Sequence, residues 1–218
     1  MQFFTTWLEY FREVSGGLGS AVQLAIISLT LGYPLALFLA ILLDHKNRYL
    51  RWLTIIFVEL GRGIPLLVLL YIFYQGLPQI DVVPSALTAA VIAFTWSTAG
   101  YATEIIRASI NSVPPGQIEG ANSIGLSPRD RFKFVVLPQA ARIALPPLMG
   151  LAIVMFQLTS LAYVIAISEV MQAAYFLGTK TFDYLPVFVA AAAVYAVITI
   201  PAAILVASLE KRISRFAT

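Results

Sequence analysis

The sequence predicts an all-α integral membrane protein: five transmembrane helices, an N-terminal interfacial helix and a cytoplasmic helix-turn-helix loop. Three observations predict it. The 218 residues are 60% hydrophobic and only 11% charged, where a soluble domain carries about 25% charged residues. Apolar runs recur at the length a bilayer crossing needs, about 20 residues. The cations gather almost entirely in alternate connecting loops. At this length the chain is read as one membrane domain over residues 1–218, without room for a second, soluble one.

The first segment, MQFFTTWLEYFREV, lacks a basic leader followed by an apolar run, so no cleavable signal is expected. Phe4, Trp7, Leu8, Phe11 and Val14 recur at helical spacing, with Glu9, Arg12 and Glu13 on the other side. That pattern suits a helix lying in the membrane interface; a short extension of the first span is the other reading. The spans are placed at about 18–43, 52–75, 83–109, 139–167 and 187–209. Four rest on charge-free runs. The second is borderline and contains Glu59 and Arg62.

Orientation follows from the cations. Lys46, Arg48 and Arg51 share one side with Arg129, Arg131 and Lys133, and with Lys211, Arg212 and Arg215. Only Arg12 and Lys180 fall opposite. Positive residues favour the cytoplasm, which puts the N-terminus outside and the C-terminus inside.

The loop at about 112–138 is then cytoplasmic, and it carries helix punctuation. Pro114 and Pro115 open a helix whose Ile118, Ala121 and Ile124 share a face. Gly125 stands where a left-handed residue ends it. Ser127 restarts the chain as an N-cap, with Pro128 at the first helical position and Asp130 at the third in a capping-box arrangement. Leu137-Pro138 leads back into the membrane. This is an ordered platform.

Several chemistries are excluded. With no cysteine, neither a disulfide nor a thiolate site exists. The single histidine, His45, reads as a solvated loop residue, so a metal site or a Ser–His hydrolase lacks its parts. Gly178–Thr181, GTKT, lacks the adjacent Gly-Lys and the earlier glycine of a phosphate loop. What remains is polar groups at membrane depth, which point to function. Glu59 and Arg62 share a helical face about 10–16 Å into the second span, just before Gly63 and Pro65 break the helix. An internal ion pair is the plainer reading. Gln157, Thr159 and Ser160 lie mid-way along the fourth span, either on a solute path or bonding helix to helix. Glu104 and Arg107 form a further pair. Five spans without a repeat are few for a gated path, and pairing two chains about a twofold axis would supply a second bundle.

These residues resemble a known family. Glu119-Gly120-Ala121, Gly125, Val135 and Leu137-Pro138 keep the spacing of the cytoplasmic signature of ABC importer permease subunits, in the polar amino acid uptake group. YATEIIRASINSVPPGQ, VELGRGIPLLVLL, LPQAARIALPPL and TSLAYVIAISEV continue the match from about Gly19 onward. The resemblance implies a non-catalytic subunit of an importer in a bacterial inner membrane. Its loop would be the coupling helix that docks on a cytoplasmic ATPase. The partners implied are two ATP-binding subunits, a second permease chain of the same or a paralogous kind, and an extracytoplasmic solute-binding protein. ATP and magnesium would belong to the ATPase, leaving no cofactor in this chain. The bilayer is the remaining partner; nucleic acid is not expected. Two departures stand out: Gly120 replaces the family's alanine, and Gln157-Leu158 replaces a Lys-Asp pair. The substrate thus stays open between a polar amino acid and a related osmolyte or opine-like solute. An autonomous secondary transporter is the rival class.

Overall fold

The computed structural model describes residues 2–214, and no strand occurs among them. Ten α-helices follow in order: α1 Gln2–Ser15, α2 Leu18–Leu43, α3 Arg48–Gly63, α4 Leu66–Tyr71 and α5 Ala86–Asn111. Then come α6 Pro115–Ser123, α7 Pro128–Arg131, α8 Leu137–Leu158, α9 Val170–Thr181 and α10 Tyr184–Ser214. Phe4's side chain and all of Arg215 lie outside the described residues.

Three continuous helical stretches are long and apolar enough to cross a membrane: Thr6–Leu43, Pro128–Ile165 and Tyr184–Ile213. The second expected span is a bent pair instead. Arg48–Gly63 and Leu66–Ile80 meet the same standard only together, at an angle of 103°. The physical reason lies at Ile64-Pro65, both in extended backbone, with ψ of 128° and 133°. Proline disfavours helical geometry at the residue before it and offers no N–H of its own.

α5 is the mast of the bundle. Its buried residues are mostly small: Ala89, Ala90, Ala93, Ser97, Thr98, Ala99, Gly100, Ala102 and Thr103. Between helices in lipid, association rests on close van der Waals packing, and small residues permit it. Three glycines measure how close. A Cβ on Gly32 of α2 would lie 2.7 Å from Thr98, and one on Gly61 of α3 2.8 Å from Trp96. One on Gly100 would lie 3.0 Å from the α3 backbone. Thr103 adds a hydroxyl shared between Ala99 O at 2.7 Å and Ala36 O of α2 at 3.3 Å. α5 is less apolar than the three long stretches because it faces protein more than lipid. Around it α2, α4, α8 and the turn after α8 close one core on Leu24, Leu70, Phe94 and Met155.

A second cluster joins α1, α9 and α10 through Tyr10, Val14, Val170, Leu177 and Val187. α1 is therefore docked on protein along Tyr10 and Val14, while Leu8, Glu9, Arg12 and Glu13 stay exposed. The Tyr10 hydroxyl donates to Asp183 at 2.8 Å.

Two Leu-Pro pairs act alike. Leu77 N donates to Ile72 O, and Leu137 N to Phe132 O, each a widened turn spanning five residues. In each case a proline follows, which cannot donate and crowds the carbonyl four residues back. A π turn relieves both problems without stopping the helix. Hence Leu137-Pro138 is no helix start: the helix runs through it from Pro128 to Ile165.

The α1–α2 junction sets up a test. A Cβ on Gly17 would overlap the Glu169 carbonyl carbon and the Val170 nitrogen, both backbone atoms at the start of α9. Gly19, two residues on, has open space around it. Gly17→Ala is expected to destabilise the purified protein by about 1–3 kcal/mol, as overpacking does. Gly19→Ala is expected to leave it unchanged. Thermal unfolding in one detergent measures both, and equal transitions for the two variants would contradict the close approach of Gly17 to α9.

Candidate functional site

The polar groups at membrane depth form two separate places. The first is the α3–α4 corner. Arg62 grips Glu59 with two hydrogen bonds, Nη2 to Oε1 at 2.7 Å and Nε to Oε2 at 3.2 Å. Three residues apart on a helix, the two side chains share a face, and the guanidinium fork fits a carboxylate. The backbone beneath is clamped: Tyr101 donates to Arg62 O at 3.1 Å and Trp96 to Phe57 O at 2.9 Å. The side chains are not enclosed. Arg62 keeps 35% and Glu59 52% of their side-chain surface exposed.

The second place is the end of α8, where the helix tightens into a 3-10 turn over Thr159–Ile165. Gln157 is exposed and Ser160 half-buried. Thr159 is fully buried, and its hydroxyl donates to Phe156 O at 2.6 Å. α4 packs against this turn, so the two places adjoin through Leu66, Leu69 and Leu70. Among the described residues no hydrogen bond links Glu59 or Arg62 to Gln157, Thr159 or Ser160. Glu104 and Arg107, nearer the end of α5, touch through one contact at 3.4 Å.

Glu169 was not singled out in the sequence, yet it is the largest buried acid, only 1% exposed. It is the N-cap of α9 and accepts from Met171 N and Gln172 N, each at 2.7 Å. Tyr195 of α10 donates to it at 2.9 Å, and the Thr159 side chain lies beside that hydroxyl. Three donors at a helix N-terminus are what a buried carboxylate needs. Its sequence signal was a lone acid between the apolar YVIAIS and a helix.

The third place is the loop. α6 ends in a Schellman motif: Gly125, at φ +76°, donates to Asn122 O at 2.9 Å, and Leu126 N donates to Ala121 O at 3.2 Å. Ser127 Oγ accepts from Asp130 N at 3.2 Å and donates to the Asp130 carboxylate at 2.7 Å. The N-cap thus forms, although Asp130 answers the Ser127 hydroxyl rather than its backbone. Arg131 donates to Asn122, tying α7 to α6. Ala121 is buried and Ile118 half-buried, but Ile124 falls past the helix end and is 76% exposed. Glu119, Gly120, Leu137 and Pro138 are exposed. A Cβ on Gly120 would meet nothing, so this flank is open to another surface. Underneath, Val113, Val136 and Ala140 pack with Ile110, Ile118 and Ile143. The loop is thereby seated on the end of α5 and the start of α8.

Gly125→Val is expected to open this motif, because a β-branched residue in left-handed backbone costs about 1–3 kcal/mol. Hydrogen exchange should rise at Gly125 and Leu126 while the amides of α5 and α8 stay protected. Gly120→Ala is the control and should slow exchange in α6, alanine being about 0.5–1 kcal/mol the better helix former. Unchanged exchange in Gly125→Val would mean the glycine conformation does not close the loop.

Comparison with known proteins places this architecture. The chain is 36% identical over 209 residues to a probable amino-acid ABC transporter permease protein, YckA, of Bacillus subtilis, covering 96% of this chain and 92% of that one. It is 37% identical to the L-cystine transport system permease protein TcyB of the same organism, over 95% of this chain and 89% of the relative. With the histidine/lysine/arginine/ornithine transport system permease protein HisM of Escherichia coli K12 it shares 33%, over 94% and 90%. A crystal structure of an amino acid ABC transporter with histidines superposes at a TM-score of 0.91 with 31% identity, over 96% of this chain and 98% of that one. The methionine transporter MetNI, at 19% identity and a TM-score of 0.61, shares the fold. Residues 32–215 match the family model described as binding-protein-dependent transport system inner membrane component. The chain belongs to that family of inner membrane transport components.

Proposed function

We propose that this chain is the permease subunit of an ATP-driven importer, moving a polar amino acid delivered by an extracytoplasmic binding protein. The observation that carries the reading is the loop: a rigid, exposed helix pair closed by Gly125 and Ser127 and seated on two membrane helices. Such a platform suits docking onto a cytoplasmic ATPase through Glu119, Gly120 and the exposed Ile124. The relatives, named as amino-acid, cystine and basic amino acid permeases, support the solute class. Two ATP-binding subunits and a second permease chain complete the assembly, with ATP and magnesium held by the ATPase. Counting the bent α3–α4 pair and α5 as crossings gives five spans, with the N-terminus outside and the C-terminus in the cytoplasm.

Within this assembly Glu59 and Arg62 border the solute path, with Gln157 and Ser160 nearby. An ion at the bilayer centre costs about 2.5–3.5 kcal/mol on insertion scales. A pair left one-third to one-half exposed by its own chain therefore faces water or another subunit rather than lipid. Arg62 offers a planar fork to a carboxylate, the group every amino acid carries.

Two experiments test the reading. The chain reconstituted alone in vesicles is expected to show no ATP hydrolysis and no solute accumulation; both should appear once the ATPase and binding protein are added. Accumulation driven by a proton or sodium gradient would contradict it. Osmolyte or opine-like solutes taken up in place of amino acids would redirect the substrate class alone. In the complete assembly, the exchange of Glu59→Arg with Arg62→Glu retains the ion pair but reverses its ends. Assembly is expected to survive and uptake to fall at least about tenfold, a loss of about 1.4 kcal/mol or more. Uptake restored by the exchange would limit the pair to holding the corner.

A further inference from the structure

A groove of about 790 Å³ runs between α2, the end of α5 and the start of α8; it borders the loop and shares no residue with the two polar places. Tyr33 and Ile41 line it on α2, Asp44 just past the end of that helix, and Ala141, Leu145 and Leu148 on α8. Its deep end is closed by the Tyr33 hydroxyl, which donates to Leu148 O at 2.6 Å and leaves no free polar group there. The lining is apolar throughout except at the mouth, where Asp44 is the only charged residue. Phe132 and Leu137, from the helix that follows the loop, form part of the wall.

Cations stand close in the chain to residues that line the groove. Asp44 is followed by Lys46 and Arg48, and Arg142 stands next to Ala141 on α8; all four are exposed. Among the described residues none of these four side chains has a hydrogen-bond or ion-pair partner. One acid at the opening of an apolar slot, with three cations close in the chain to residues that line it, suits a ligand with a tail, a phosphate and an ammonium. An anionic headgroup would meet the cations but leave the Asp44 carboxylate unmatched. A choline headgroup carries no N–H to donate, whereas a primary ammonium offers three donors.

We infer that the groove binds one acyl chain of an ethanolamine phospholipid, its ammonium on Asp44 and its phosphate on Lys46, Arg48 and Arg142. The lipid lies against Phe132 and Leu137, so it bridges α2 and the helix that carries the loop. Its occupancy then favours one position of the loop relative to α2. This inference rests on the chain being embedded in a bilayer and is independent of the solute carried.

The test reads bound lipid directly. The protein, with whatever subunits co-purify, is placed in nanodiscs of phosphatidylcholine mixed with phosphatidylethanolamine or with phosphatidylglycerol. It is then extracted in mild detergent, and retained lipid is counted by native mass spectrometry. Phosphatidylethanolamine is expected to be enriched over its bulk share by about fivefold or more. Ala141→Trp, which fills the groove from its exposed flank, should remove the enrichment; Leu145→Trp serves if that variant does not fold. Asp44→Asn should abolish the preference for ethanolamine over choline while lipid is still retained. Retention at bulk composition in the unaltered protein, or enrichment that survives Ala141→Trp and Leu145→Trp, overturns the site. Preferential retention of phosphatidylglycerol overturns the ammonium contact. The sequence has no cysteine, so Leu145→Cys gives a single thiol; its cross-linking to another protein chain would show that protein covers the groove and overturn the lipid.

Discussion

Everything in this molecule hangs on how closely α2 and α3 approach α5. Lipid tails are as apolar as leucine, so helices in a bilayer gain little by hiding apolar surface from each other. What holds them is contact, and contact needs small residues. Gly32, Gly61 and Gly100 occupy the three points where a side chain would collide with the neighbouring helix. The same seam excuses the modest hydropathy of α5, since serine, threonine and alanine suit a protein neighbour better than they suit lipid. It also anchors the α3–α4 corner: Gly100 admits the α3 backbone, and Tyr101 holds Arg62 O. The Glu59–Arg62 pair stands on this clamp.

Proline is used in three ways along the chain. Pro34, Pro146, Pro147 and Pro201 sit inside α2, α8 and α10, which continue past them. Pro78 and Pro138 each follow a widened turn that spares the helix. Pro65 alone, among these, accompanies a turn near a right angle. Chemistry is constant across these sites, so the difference comes from surroundings. At Pro65 the preceding turn is already committed to α5, and the residues after it join the central core through Leu66, Leu69 and Leu70.

The loop and the bundle are mechanically joined. Ile110 and Val113 extend α5 into the loop, while Val136, Ala140 and Ile143 belong to the helix that leaves it. The packing thus ties α6 to both α5 and α8. α8 in turn ends at Thr159, beside Tyr195 and the Glu169 cap of α9. Of the polar places, the Thr159 turn lies at the far end of α8, the helix that leaves the loop.

Several local rules read from the sequence held where neighbours in the chain decide the outcome, though Ile124 fell past the end of α6 and Asp130 did not close the capping box. Apolar runs long enough for a bilayer announced α2, α8 and α10, because backbone groups in lipid must be satisfied within the segment. The left-handed Gly125 and the Ser127 cap were legible because each depends on only three or four adjacent residues. The helix break at Pro65 was legible too, but not its angle of 103°, which packing against α5 sets. Nor was it legible that Thr159 turns inward while Gln157 stays exposed, since that depends on how the helix tightens past Leu158. Glu169 shows the limit most plainly. A buried acid is admissible only when its donors are in place, and one of its three comes from Tyr195, 26 residues away. By itself the sequence determined where this chain turns apolar, where it caps and where it breaks. The tertiary structure alone decided which polar groups on different helices meet, as Tyr195 meets Glu169 and Tyr101 meets Arg62 O, because only packing brings those helices together.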